Sequence, residues 1–165
     1  MCEDHGEVSL EIVRQAKARA LKILEYADRT EKQLRDKLKE GEFPPFAIDE
    51  AVDYVQKLHY QDDVRYAESF IRGRVGRKSA YEIRQELQQR GISKEVAEQA
   101  LLDAEIEESD TVKALFLKKY GTKDLSDPAV YQKAFRYFAG KGFGYEVIRD
   151  GIRRGIEASE DGEMS

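Results

Sequence analysis

Two histidines, one cysteine and scattered carboxylates are what this chain offers for metal or proton chemistry. His5 and His59 lie in different segments, and neither has a cysteine or carboxylate at ligand spacing. Structural zinc draws on clustered ligands, so no metal site is expected. No serine, cysteine or lysine stands beside an evident base, which leaves nucleophilic catalysis without a candidate. Gly73 and Gly76 flank Arg74 and could suggest a phosphate loop, but the pattern G-x-x-x-x-G-K-S/T is missing and no strand pattern precedes them. Gly140, Gly142 and Gly144 have G-x-G-x-G spacing, yet they end one helical pattern and begin another, so turn formation accounts for them. The pair Asp62–Asp63 opens a helix; capping and the helix dipole supply roughly 0.3–1 kcal/mol for each carboxylate, which suffices without a metal. The chain is therefore read as a non-enzyme, with no catalytic residue and no cofactor.

The basic residues say more. Seven fall between Arg65 and Arg90 against three acidic ones, in a chain whose net charge is −5. At 100° per residue from Val64, the residues Tyr66, Ala67, Phe70, Ile71 and Val75 share one arc, while Arg65 and Arg72 fall opposite. Arg74 falls inside the apolar arc, where it must pair with an acid, reach out past the helix end, or face a partner. Arg77 and Lys78 lie in a turn, and Arg84 flanks the next helix beside Leu87. Two readings stand side by side: a solvated face with cations favoured at a helix C-terminus, or a surface for an acidic partner or a phosphate backbone. Under the second, Arg65, Arg72, Arg74, Arg77, Lys78 and Arg84 are the candidate partner- or nucleic-acid-binding residues. Four or five phosphate contacts would make log K fall with log salt at a slope of about −4, which is non-specific binding around 10⁻⁴–10⁻⁶ M. No helix carries a clear set of base-edge readers, which argues against a sequence-specific repressor.

The elements that must hold these residues are helices. With 165 residues, 37% charged, three prolines and no alternating β-branched runs, the chain reads as all-α. No apolar run approaches the roughly 18 residues of a membrane span, the acidic start is no signal peptide, and one cysteine fits a reducing cytosol. The run Tyr60–Ile92 reads as helix, basic turn, helix: Asp62 caps the first, Gly76 ends it, Ser79 and Glu82 form a capping box, and Gly91 closes the second. Ser9 is a cap candidate for the opening helix, Thr30 and Gln33 make a second capping box, and Pro44–Pro45 and Asp127-Pro128 suit helix starts.

An internal period organises the whole. Leu34, Leu38, Phe43, Ile48, Ala51 and Val52 recur as Ile83, Leu87, Ile92, Ala97, Ala100 and Leu101, and again as Ala134, Phe138, Phe143, Ile148, Gly151 and Ile152. The position of Ala51, Ala100 and Gly151 is always small, as a close helix approach requires. The expected fold is three tandem three-helix repeats forming an elongated, curved array. A flexible N-terminus covers 1–8, the repeats 9–60, 61–108 and 109–157, and an acidic flexible tail 158–165. First helices are expected near 10–28, 62–76 and 109–120, second near 30–40, 79–90 and 127–140, third near 44–59, 93–108 and 144–157.

On these residues the chain resembles the RecX family, bacterial regulatory proteins of the RecA recombinase. The matching segments are 29–38 (RTEKQLRDKL), 60–70 (YQDDVRYAESF, the most specific) and 83–92 (IRQEL through Gly91-Ile92). The resemblance covers about residues 15–156. His59 stands where the family usually has glycine, and Arg77-Lys78-Ser79-Ala80 replaces a glycine-rich turn. The resemblance implies three-helix repeats without enzymatic activity, and a negative modulator that binds the RecA–single-stranded DNA filament and limits its growth, ATPase and strand exchange. Beside the resemblance, the chain is expected to be a cytoplasmic monomer that touches no membrane and binds bare single- or double-stranded DNA weakly. A general α-helical adaptor and a stand-alone non-specific DNA-binding protein are the alternatives.

Overall fold

The computed structural model describes residues 2–163. Among these there are nine helices and no strand: α1 (Cys2–Tyr26), α2 (Glu31–Glu40), α3 (Pro45–Lys57), α4 (Asp63–Arg72), α5 (Ala80–Gln89), α6 (Lys94–Asp103), α7 (Glu108–Tyr120), α8 (Pro128–Gly140) and α9 (Tyr145–Glu163). The all-α, tandem three-helix reading therefore holds. None of these helices is long and apolar enough to cross a membrane.

Helix starts follow the predicted caps. Thr30 and Gln33 form a complete capping box on α2, and Ser79 with Glu82 does the same for α5 through two reciprocal 3.1 Å hydrogen bonds. Pro45 and Pro128 occupy first-turn positions, where a missing N–H costs no hydrogen bond. Ser9 does not cap. Its hydroxyl donates to the carbonyl of His5 at 2.9 Å, as a residue inside a helix does, because α1 already runs through the expected N-terminal arm. At the other end α9 continues to Glu163, through most of the stretch expected as a tail. Met1 and residues 164–165 lie outside the described residues.

The chain divides into two compact units, residues 1–69 with 87–97, and residues 70–86 with 98–165. The division falls within α4, α5 and α6. In the first unit α1 packs chiefly on α3, around Ala16, Ala20, Leu34, Leu38, Ala51 and Val55, none of which is exposed. In the second, α7 packs chiefly on α9, around Val112, Phe116, Phe138, Ile148 and Ile152. The small residue of the period is explained here: a Cβ on Gly151 would meet Val112 Cβ at 2.6 Å and the carbonyl of Ser109 at 2.9 Å. Only glycine lets α9 approach α7 so closely.

Each buried N-cap hydroxyl has a second task. Within the first unit, Thr30 donates its hydroxyl to the carbonyl of Arg90 at 2.6 Å, beyond the end of α5. Within the second, Ser79 donates to the carbonyl of Lys141, beyond the end of α8, at 2.5 Å. The N-terminus of one repeat's second helix thus meets the C-terminus of the next repeat's second helix. The following glycines sit in the left-handed region, Gly91 at φ 92° and Gly142 at φ 90°. A Cβ would strike Lys32 at 2.4 Å in the first case and the Tyr81 ring at 2.5 Å in the second. The equivalent position of the first repeat is Glu42, also left-handed at φ 63°.

Candidate functional site

The segment that places the basic residues is shorter in helix than its periodicity suggests. α4 stops at Arg72, and residues 73–78 fold into successive turns whose amides bond Ile71 and Arg74 carbonyls, with Gly76 at φ 86°. Val75 consequently leaves the apolar arc and is exposed, as is Val64 at the helix start, whereas Tyr66, Ala67, Phe70 and Ile71 are buried as expected. Asp62 accepts from the amides of Val64 and Arg65, so its capping role stands. Asp63 reaches the neighbouring repeat, accepting from the Glu31 amide and from Gln61 Nε2, both at 2.9 Å. His59 sits at φ 62°, a conformation that glycine adopts without strain. Among the described residues no cluster of His, Cys, Asp or Glu could hold a metal.

The six candidate cations have different fates. Arg65, in the first unit, donates to the carbonyls of His59 (2.7 Å) and Tyr60 (3.1 Å), bracing the α3–α4 link, and forms no ion pair among the described residues. The other five belong to the second unit. Arg74 resolves its three-way choice by pairing with Glu86 at 3.2 Å, its guanidinium carbon 3.5 Å from the centroid of the Phe70 ring. Lys78 bonds the other oxygen of the same carboxylate. These hydrogen bonds, Lys78 foremost and then Arg74, hold the Glu86 carboxyl below the usual carboxylate range against its partial burial. Arg77 is exposed and donates to the Gly73 carbonyl. Arg72 is exposed, with no hydrogen bond or ion pair among the described residues. Arg84 is half-buried, its Nε shielded and without a hydrogen-bond partner, and its charge acts on Glu108. Burial nevertheless pushes the Glu108 carboxyl up, although it accepts the Ala80 amide.

The structure thus brings Arg74 and Lys78 together on one acid and leaves Arg72 and Arg77 as outward charges. It also holds a second basic cluster that contiguous charge density in the sequence does not announce. Between α7 and α8 a cleft of about 710 Å³ is lined by Lys119 and Lys123 from one side and by Lys133 and Arg136 from the other. Tyr120, Val130 and Tyr137 also line it. The one-turn spacing of Lys133 and Arg136 is the trace it leaves in the sequence; that Lys119 lies opposite them is decided by helix packing.

Family models for the first, second and third three-helix domains of RecX match residues 16–54, 62–101 and 106–152 in that order. The chain is 31% identical over 141 residues to the regulatory protein RecX of Clostridium botulinum (strain Eklund 17B / Type B), covering 83% of this chain and 66% of that protein. It is 31% identical over 149 residues to that of Clostridium beijerinckii, covering 88% and 70%. The chain therefore spans about two thirds of the length of the curated relatives it matches. Among solved structures, a crystal structure of RecX from Lactobacillus salivarius superposes with a TM-score of 0.78 at 24% identity, over 89% of this chain and 98% of that one. Another RecX crystal structure gives 0.74 at 28% identity, over 87% and 74%.

Proposed function

The chain belongs to the RecX family, and from that premise we propose that it is a non-enzymatic negative modulator of RecA, binding the RecA–single-stranded DNA filament in the cytoplasm and limiting its growth, ATPase and strand exchange. The observation that carries this reading is the run of three consecutive RecX domain matches. Tandem repeats suit a repeating target, since linked weak contacts add through effective concentration. The mid-chain cations supply the electrostatic contact in this reading. Arg65, Arg72 and Arg77 form no ion pair among the described residues and take the leading part. Arg74, Lys78 and Arg84 stand behind them, since Glu86 and Glu108 already face those charges.

The test is RecA ATPase on single-stranded DNA with and without the protein. Inhibition by the wild type is the expected result, and an unchanged ATPase rate would reject the function. The double variant R72Q/R77Q, at two exposed positions, should keep its circular dichroism while requiring several-fold more protein for equal inhibition. Undiminished inhibition by that variant would reject the contact assignment and leave the function standing.

A further inference from the structure

None of the six mid-chain cations lines the α7–α8 cleft of the third repeat. Lys119, Lys123, Lys133 and Arg136 converge on it, and none of the four forms an ion pair among the described residues, in a chain with 33 acids for 28 bases. Lys133 and Arg136 lie one turn apart on the same helix and repel each other. Lys119 has its Nζ 3.3 Å from the centroid of the Tyr137 ring. Tyr137 packs edge-on against Tyr120 and Phe138, so the wall behind the lysine is anchored in the core. A volume of about 710 Å³ lies within the range of small-molecule sites, roughly 300–1,000 Å³.

A ligand matching this cleft concentrates several negative charges within a few ångströms and carries an apolar, flat body. Isolated carboxylates satisfy the first requirement poorly. Phosphates satisfy it well, and arginine binds them through paired N–H donors. Aromatic and aliphatic side chains beneath a cationic rim suit a nucleobase and its sugar. We propose that the α7–α8 cleft binds a nucleotide unit, its phosphates held among Lys119, Lys123, Lys133 and Arg136 and its base lying against Tyr120, Val130 and Tyr137. The unit belongs either to a free nucleoside polyphosphate or to a single strand, which share this chemistry.

Binding to the full chain is measured by titration calorimetry with ATP without magnesium, with inorganic tripolyphosphate, with oligo(dT) and with an oligoglutamate peptide. ATP or oligo(dT) should bind at least about tenfold more tightly than tripolyphosphate or oligoglutamate. K133Q/R136Q should lose at least about tenfold of that affinity with unchanged helicity. Tighter ATP assigns the site to free nucleotide, and tighter oligo(dT) to a strand. The proposal is overturned by an absence of nucleotide binding, by equal binding of tripolyphosphate or oligoglutamate, or by wild-type affinity in K133Q/R136Q. RecA is absent from every arm, so the outcome is independent of the filament reading.

Discussion

Glu86 organises the basic turn at the scale of single residues. One carboxylate accepts from Lys78 through one oxygen and from Arg74 through the other. Its folded-state proton affinity is lowered by these partners, so the unfolded chain binds the proton more readily. The pair's contribution to stability is therefore full above the ordinary carboxylate range and is lost as pH falls through it. Glu86→Gln should flatten the acid limb of a stability–pH curve measured by urea unfolding, with little change in slope near neutrality; an unaltered acid limb would show that the pair contributes nothing. Glu108 behaves oppositely. Burial favours its protonated form, so it opposes folding increasingly as pH rises through and above the ordinary carboxylate range, in spite of Arg84 nearby.

Between helices, the buried cap hydroxyls are the joints. Thr30 and Ser79 are fully buried, and each both accepts from the N3 amide of its own helix and donates to a carbonyl past the end of the next repeat's second helix. Ser79→Ala removes both bonds and strands a carbonyl, so it should cost about 2–4 kcal/mol, from a cap worth about 1 plus 1–3 for the unsatisfied group. Asp127 caps the corresponding helix of the third repeat, but as an exposed carboxylate it accepts from Ala129 and has no proton to donate. Asp127→Ala should therefore cost only about 1 kcal/mol, the value of a cap alone. Denaturant melts of the two variants decide the matter, and equal losses would contradict the second role of Ser79. The glycines follow the same logic. Gly142→Ala should destabilise by about 1–3 kcal/mol through left-handed backbone and a clash with Tyr81. Glu42→Gly should stabilise by up to about 1 kcal/mol, since its left-handed conformation is strained for any residue with a Cβ.

For the molecule as a whole, a net charge of −5 opposes attraction to a polyanion, so affinity for bare DNA must come from a local group of cations. Each phosphate contact on a single strand contributes about −0.7 to the slope of log K against log salt. Replacing Arg72 and Arg77 together should make that slope shallower by about 1.4 if both touch phosphate; an unchanged slope would place their contact on protein carboxylates instead. Three domains in tandem leave room for separate tasks, with Arg72 and Arg77 exposed in the second and an open cleft between α7 and α8 in the third.

Helix identity was legible in the residues themselves, because caps such as Thr30–Gln33 and Ser79–Glu82 and the recurrence of Leu34, Ile83 and Ala134 are local or periodic signals. The same period located the small residue at Gly151. Tertiary structure alone decided the fate of each charge. Whether an arginine is free depends on what lies across from it: Arg74 meets Glu86 twelve residues on, through a turn whose path no periodicity encodes. Lys119 faces Lys133 because α7 packs beside α8, and Ser79 bonds Lys141 sixty-two residues away. Hydrophobic spacing fixes which face of a helix turns inward, but the pairing of polar groups between helices depends on distances that exist only after the helices have packed.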